Sequence, residues 1–192
     1  MAGLLDLLGA RLGGDAAQQL GTRLGADPGT TGSAITAALP LLIGALARNA
    51  GQPDGAQQLH DAVVRDHDGS ALDRSPAEQS PGDGDAILRH VLGDRRDLAE
   101  RGIAQASGLD LSKVGPLLTM LAPMVMGALG RQQRSGGLGP GDLASMLGGE
   151  RDRIGAATPG MLGTLSQLLD RDRDGSIVDD VGGMLGGLFG RR

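Results

Sequence analysis

Two stretches of this chain, residues 25–48 and 108–131, carry the same landmarks in one ungapped register. Gly25 pairs with Gly108, Asp27 with Asp110, Gly32 with Gly115, Thr36 with Thr119 and Pro40 with Pro123. The triplet Gly44-Ala45-Leu46 then pairs with Gly127-Ala128-Leu129, and Arg48 with Arg131. Agreement on a proline, a triplet and a flanking arginine at fixed spacing marks an internal duplication. Both stretches are apolar over most of their length, so each is predicted to be a core helix. The mid-run proline removes a backbone bond and is expected to kink each helix or divide it into two abutting ones.

The flanking segments are helical in pattern as well. Leu4, Leu5, Leu8 and Leu12 recur at helical spacing, Gly13-Gly14 breaks that run, and Asp15 caps a second helix running to about Leu24. A short helix is expected over residues 57–64, and another at 141–147 between glycine pairs. Residues 85–93 (DAILRHVLG) resemble the opening GLLDLLG, so the pattern restarts there. Thr158-Pro159 begins a run in which Leu162, Leu165, Leu168 and Leu169 share one face. The expected fold is all-α: two duplicated multi-helix repeats with kinked Pro-containing core helices and acidic DxDGS turns. Residues 1–76 make the first repeat, 77–84 a Pro/Gly/Ser linker, and 85–192 a second repeat enlarged at about 135–158.

Composition narrows what such helices can bury and bind. One phenylalanine and no tryptophan or tyrosine leave leucine, alanine and methionine to fill the core. The 35 glycines each cost about 1 kcal/mol relative to alanine inside a helix, unless close approach requires them. Gly44-Ala45 and Gly127-Ala128 are the expected points where the two core helices touch. Net charge is −5, arginines are interleaved with aspartates, and no aromatic platform exists, which argues against nucleic acid as a partner. The absence of cysteine excludes disulfides, zinc–thiolate sites and thiol catalysis. The apolar runs at 37–47 and 120–129 are shorter than the roughly 20 residues a membrane span needs, so a soluble, cytoplasmic protein is expected. Leucine faces at residues 1–12 and 177–192 are expected contact surfaces for self-association.

The chemistry of the chain is concentrated in two acidic turns. The fuller one, LDRDRDGSIVDD at residues 169–180, alternates Asp170, Asp172 and Asp174 with arginines before Gly175 and Ser176. A calcium loop places oxygen ligands at its first, third and fifth positions, glycine at the sixth, a carbonyl at the seventh and a bidentate acid at the twelfth. Asp170, Asp172, Asp174, Gly175 and the Ser176 carbonyl meet those requirements in turn; the twelfth position is Val181, and Asp179 and Asp180 stand earlier. The weaker candidate is Asp66, Asp68, Ser70 and Asp73, with Val64 where the fuller turn has Asp170. The competing account is a helix cap, with Ser176 or Ser70 at the N-cap and Asp179 or Asp73 completing a capping box. His60, His67 and His90 are the only imidazoles; His60 and His67, near Asp61, Asp66 and Asp68, are a lesser candidate for a transition metal.

The series GDAILRHVLG, SGLD, LLTMLAPMVMGALGR and LDRDRDGSIVDD resembles the bacterial DUF937 family, a domain of unknown function, from Met1 to about Gly187. That resemblance implies a small, helical, soluble bacterial protein and carries no activity over to named residues. No serine nucleophile elbow, phosphate loop or HExxH helix is present. The expected function is a non-enzymatic structural or interaction module with a calcium-braced turn, acting as a homo-oligomer or with a protein partner. The alternatives are a small aspartate-dependent hydrolase and a peripheral membrane-surface protein using GMLGGLFGRR.

Without the acid at position twelve, calcium affinity should fall on the order of 10⁻⁵ to 10⁻³ M. Thermal melting of wild type and of Asp172→Ala/Asp174→Ala, with calcium, magnesium or chelator, tests this. Millimolar calcium should raise the wild-type melting point and leave the double variant unchanged. An unmoved wild-type melting point would leave the turn a helix cap only.

Overall fold

The central element is α7 (Leu111–Gly136), in which every residue from Leu117 to Gly130 is buried. The computed structural model describes residues 3–52, 54–75 and 78–157, so the fuller acidic turn lies outside the described residues. Among those residues the chain is helical throughout, without a strand. The order is α1 (Leu4–Leu12), α2 (Asp15–Leu24), α3 (Pro28–Ala50), α4 (Gly55–Asp66), α5 (Pro81–Leu92), α6 (Arg96–Ser107), α7 and α8 (Pro140–Ala157). Short 3-10 turns occur at Ser70–Leu72 and Gly93–Arg95. Helices α1 to α6 and the Ser70–Leu72 turn all pack on α7, and α3 also receives α8. One apolar cluster runs through both halves.

Local chemistry sets the boundaries. Asp27 caps α3 by accepting the Thr30 amide at 2.9 Å, and Asp110 caps α7 by accepting the Ser112 amide at 2.8 Å. Gly25 (φ 60°) and Gly108 (φ 75°) end α2 and α6 in the left-handed region, where a side chain would strain the backbone. The α1 leucines recur on one face, and Leu4, Leu8 and Leu12 are at most 1% exposed. That face was expected to be a contact surface; instead it is core, because α1 packs on both α3 and α7. The start of α1 is fastened by a carboxylate from α8. Glu150, 3% exposed, accepts the Leu4 amide at 2.9 Å and is paired with Arg153. An acid suits the positive end of a helix and satisfies a donor that no helical carbonyl can reach.

Three sequence expectations are corrected and one is narrowed. Of the kink or division expected at each proline, division does not occur: α3 continues through Pro40, and α7 through Pro116 and Pro123. In α7 the neighbours supply the reason, since Pro123 cannot donate to the Thr119 carbonyl four residues back and α5 covers that carbonyl at Gly84. The linker expected at 77–84 is helix from Pro81 onward, with proline in the first turn of α5. The short helix expected at 141–147 runs on through Gly148 and Gly149 to Ala157. The close approach expected at Gly44 and Gly127 is also different. Gly44 has no such neighbour within 4 Å, and a Cβ on Gly127 would stand 3.0 Å from that of Ala71, not against α3.

Glycine is required at two other points. A Cβ on Gly84 would lie 1.9 Å from the Thr119 carbonyl oxygen, and one on Gly130 would lie 1.7 Å from the His67 carbonyl oxygen. Helix α5 and the acidic turn can approach α7 this closely only because these positions lack a side chain. Helices α3 and α7 are long and apolar enough to cross a membrane by length and composition. In this fold, 61% and 89% of their most apolar windows are buried inside the protein.

Gly84→Ala and Gly130→Ala should each destabilise by about 1–3 kcal/mol, since backbone must move to admit a methyl group. Gly9→Ala, in α1 with no such neighbour within 4 Å, should be neutral or stabilising by up to about 1 kcal/mol. Urea unfolding of the three variants checks the contrast.

Candidate functional site

The described acidic turn follows α4 and lies across α7. Asp66 ends α4, and the adjacent Arg65 guanidinium contacts its carboxylate at 2.7–3.0 Å, holding that carboxyl below the usual range. His67 follows, with its carbonyl against Gly130. The Asp68 carboxylate accepts the Ser70 amide at 2.9 Å, and hydrogen bonds from Ser70 lower its pKa. Gly69 (φ 87°) makes the turn, and Ser70–Leu72 forms a single 3-10 turn. Asp73 meets Arg131 of α7 at 2.8 Å, and the same nitrogen reaches the Gly69 carbonyl at 3.3 Å. From α1, Arg11 donates to the Leu72 carbonyl at 2.8 Å.

These partners replace the expected capping box. Asp68, not Ser70, supplies the capping oxygen, and Asp73 turns to α7 instead of back to Ser70. A single 3-10 turn is too short for reciprocal capping, and Arg131 offers the acid a charge. Asp66, Asp68 and Asp73 are therefore engaged separately. Among the described residues no three His, Asp or Glu side chains are grouped so as to hold a metal ion. Asp170, Asp172, Asp174, Ser176, Asp179 and Asp180 lie outside the described residues.

What the turn does create is one end of a cleft of about 680 Å³ between α4 and α5. Its floor is apolar: Leu46 from α3, with Pro123 and Met126 from α7. Leu59 and Ala62 form one wall, and Ile87 and Val91 the other. Asp66, Asp68 and Asp83 stand around it, with His67 and His90. Asn49 stiffens the α5 wall by donating from one amide nitrogen to the carbonyls of His90 and Val91, at 3.2 and 3.1 Å. His67 is half-buried, and its pKa is lowered because burial disfavours the imidazolium. The nearby acids Asp66, Asp83 and Asp68 oppose that shift, and Arg65 adds slightly to it. The imidazole is thus neutral at neutral pH.

The histidines are regrouped relative to the sequence reading. His67 and His90 line the cleft; His60 does not, and stands on α4 with Nδ1 3.6 Å from Asp61. Helix α4 stops at Asp66, so His60 and His67 do not share a continuous helix face. The sequence reading missed the cleft residues Asn49, Asp83 and Ile87. They come from separate segments, and no spacing links them before α3, α4 and α5 converge.

No curated protein and no solved structure matches the chain. A family model described as "Bacterial protein of unknown function (DUF937)" matches residues 6–132, from within α1 to within α7. That span takes in the described acidic turn and both walls of the cleft, while α8 and the second acidic turn fall outside it. The chain belongs to the DUF937 family of bacterial proteins.

Proposed function

We propose that this protein is a non-enzymatic interaction module, built from a duplicated four-helix unit and acting in the cytoplasm through its α4–α5 cleft. The observation that carries this reading is the cleft's lining, an apolar floor and walls with three acids, Asp66, Asp68 and Asp83, and one arginine, Arg74, around them. Such a surface fits an apolar protein segment bearing basic residues. The chain contains one: residues 184–192, MLGGLFGRR, supply Met184, Leu185, Leu188 and Phe189 followed by Arg191 and Arg192. The occupant proposed is this segment from a second copy, which makes self-association the function of the cleft. Catalysis is not part of the proposal, because each acid of the turn is engaged by its own donor instead of sharing a proton with another acid.

Several repeated local features support the duplicated unit, in which α1–α4 correspond to α5–α8. Asp27 and Asp110 cap the long helices, and Gly25 and Gly108 take the same left-handed turn before them. Gly14 (φ 53°, ψ −113°) and Gly93 (φ 52°, ψ −133°) share a rarer conformation between the first and second helices of each unit. Buried Ala16 and Leu20 of α2 match Ala99 and Ile103 of α6 at the spacing of the core-helix register. The calcium reading of the second acidic turn belongs to the same proposal as a brace, with Asp170, Asp172 and Asp174 as its first ligands.

Sedimentation of the full-length protein tests the cleft. Ala86, exposed on α5 at the cleft wall, can be changed to Trp without entering the core, and Asp83→Arg reverses a nearby charge. Each variant should weaken self-association about tenfold or more, and a peptide of residues 184–192 should bind wild type in competition with it. A full-length protein that stays monomeric at high concentration and does not bind the peptide would overturn the proposal.

A further inference from the structure

The described acidic turn provides a template for how a turn of this sequence docks on a core helix. Its Asp68-Gly69-Ser70 and Asp73 recur as Asp174-Gly175-Ser176 and Asp179 at the same spacing. The surface that receives the first turn recurs too. In the core-helix register, Gly127, Gly130 and Arg131 of α7 correspond to Gly44, Ala47 and Arg48 of α3. Arg11, which closes α1, holds the Leu72 carbonyl; on the α3 side the second arginine is Arg95, in the turn just past the end of α5 and beside Arg48.

On α3, where Ala47 is already buried, the point above Gly44 and the two arginine side chains have no occupant among the described residues. A Cβ added at Gly44 would meet nothing within 4 Å, whereas Gly127 is covered by Ala71. Arg131 holds the turn through the Gly69 carbonyl and Asp73. Among the described residues the Arg48 side chain has no hydrogen bond or ion pair, and neither has that of Arg95. The two guanidiniums repel each other: burial first, and Arg95 second, lower the pKa of Arg48. A half-buried arginine facing another arginine beside an open glycine is a costly arrangement unless an anion or carbonyl completes it.

We propose that residues 174–179 of the same chain dock on α3 over Gly44. Arg48 holds the Gly175 carbonyl and the Asp179 carboxylate, and Arg95 holds the Val178 carbonyl. The differences between the two copies are complementary. Ala47, replacing Gly130, keeps the second turn slightly farther from the helix, and Ile177, larger than Ala71, fills that space above Gly44. The connection is long enough. Helix α8 packs on α3 and ends at Ala157, and residues 158–173 extend to roughly 53 Å, against about 35 Å for the whole of α3. These contacts leave Asp170, Asp172 and Asp180 free of α3, so docking neither requires calcium nor conflicts with it. The inference rests on the repeated unit proposed above but not on the cleft, and its test does not use the cleft.

The protein has no cysteine, so an engineered pair reports cleanly. A Cβ on Gly127 would stand 3.0 Å from the Ala71 Cβ, and Gly44→Cys with Ile177→Cys occupies the matching positions at a separation a disulfide can span. Mild oxidation of the full-length double variant should close an intramolecular disulfide at least tenfold faster than Gly44→Cys with Ser166→Cys. A rate equal to that control, or a disulfide formed only between two chains, would overturn the proposal. A charge exchange gives an independent readout on the intact core. Arg48→Glu should raise hydrogen exchange across residues 174–179, and adding Asp179→Arg should restore protection. Exchange in that segment unchanged by Arg48→Glu would equally count against docking.

Discussion

The structure depends on how closely other backbone can approach α7. Pro123 deprives the Thr119 carbonyl of its helical donor, and α5 lays Gly84 against that oxygen, where a side chain could not fit. One turn further along Gly127 admits Ala71, and two turns along Gly130 admits the His67 carbonyl. With one aromatic residue in the chain, the core cannot rely on large side chains to bridge distances. It compensates by bringing backbone close and filling the remaining space with leucine, methionine and alanine, much of it at near-zero exposure. The glycines that cost helix propensity are thus of two kinds. Gly84 and Gly130 are required by a neighbour, whereas Gly9, Gly148 and Gly149 have none within 4 Å.

This packing also accounts for the candidate site. Because the acidic turn is seated on α7, it stands across the end of α4 at a fixed distance from α5, and the cleft is the space those three leave. Its floor comes from residues of both core helices, Leu46, Pro123 and Met126. The acids of the turn are engaged locally, Asp66 by Arg65, Asp68 by the Ser70 amide and Asp73 by Arg131, while Asp83 lines the cleft from α5. The same pattern of residues that suggests a cation loop also serves, in this copy, to turn the chain and fasten it to a helix.

The helical class and both core helices were legible because they rest on local rules. Leucine spacing located α1 and the two apolar runs located α3 and α7, whereas Asp15, expected as a cap, is the first residue of α2 and Gly14 stands at the cap. Helix α6 was not legible, since Ala99 and Ile103 are its only buried residues and its composition is polar. The role of the leucine face of α1 was misread, because sequence shows that a face is apolar but not whether another element covers it. The site was legible only in part: the position of the first acidic turn was clear from Asp-Gly-Ser, but its partners Arg11, Arg131 and Arg134 lie 57 or more positions away in sequence. The cleft was not legible at all, because it exists only where α3, α4, α5 and α7 meet.

If α7 is the element on which the others depend, its backbone should open only when the whole protein unfolds. Native-state hydrogen exchange measured amide by amide under increasing denaturant tests that directly. The non-proline amides from Leu117 to Gly130 should exchange with the free energy and denaturant dependence of global unfolding, while those of α4 exchange through smaller local openings. Exchange of α7 through a low-energy local opening, at the level of α4 or below it, would contradict the account.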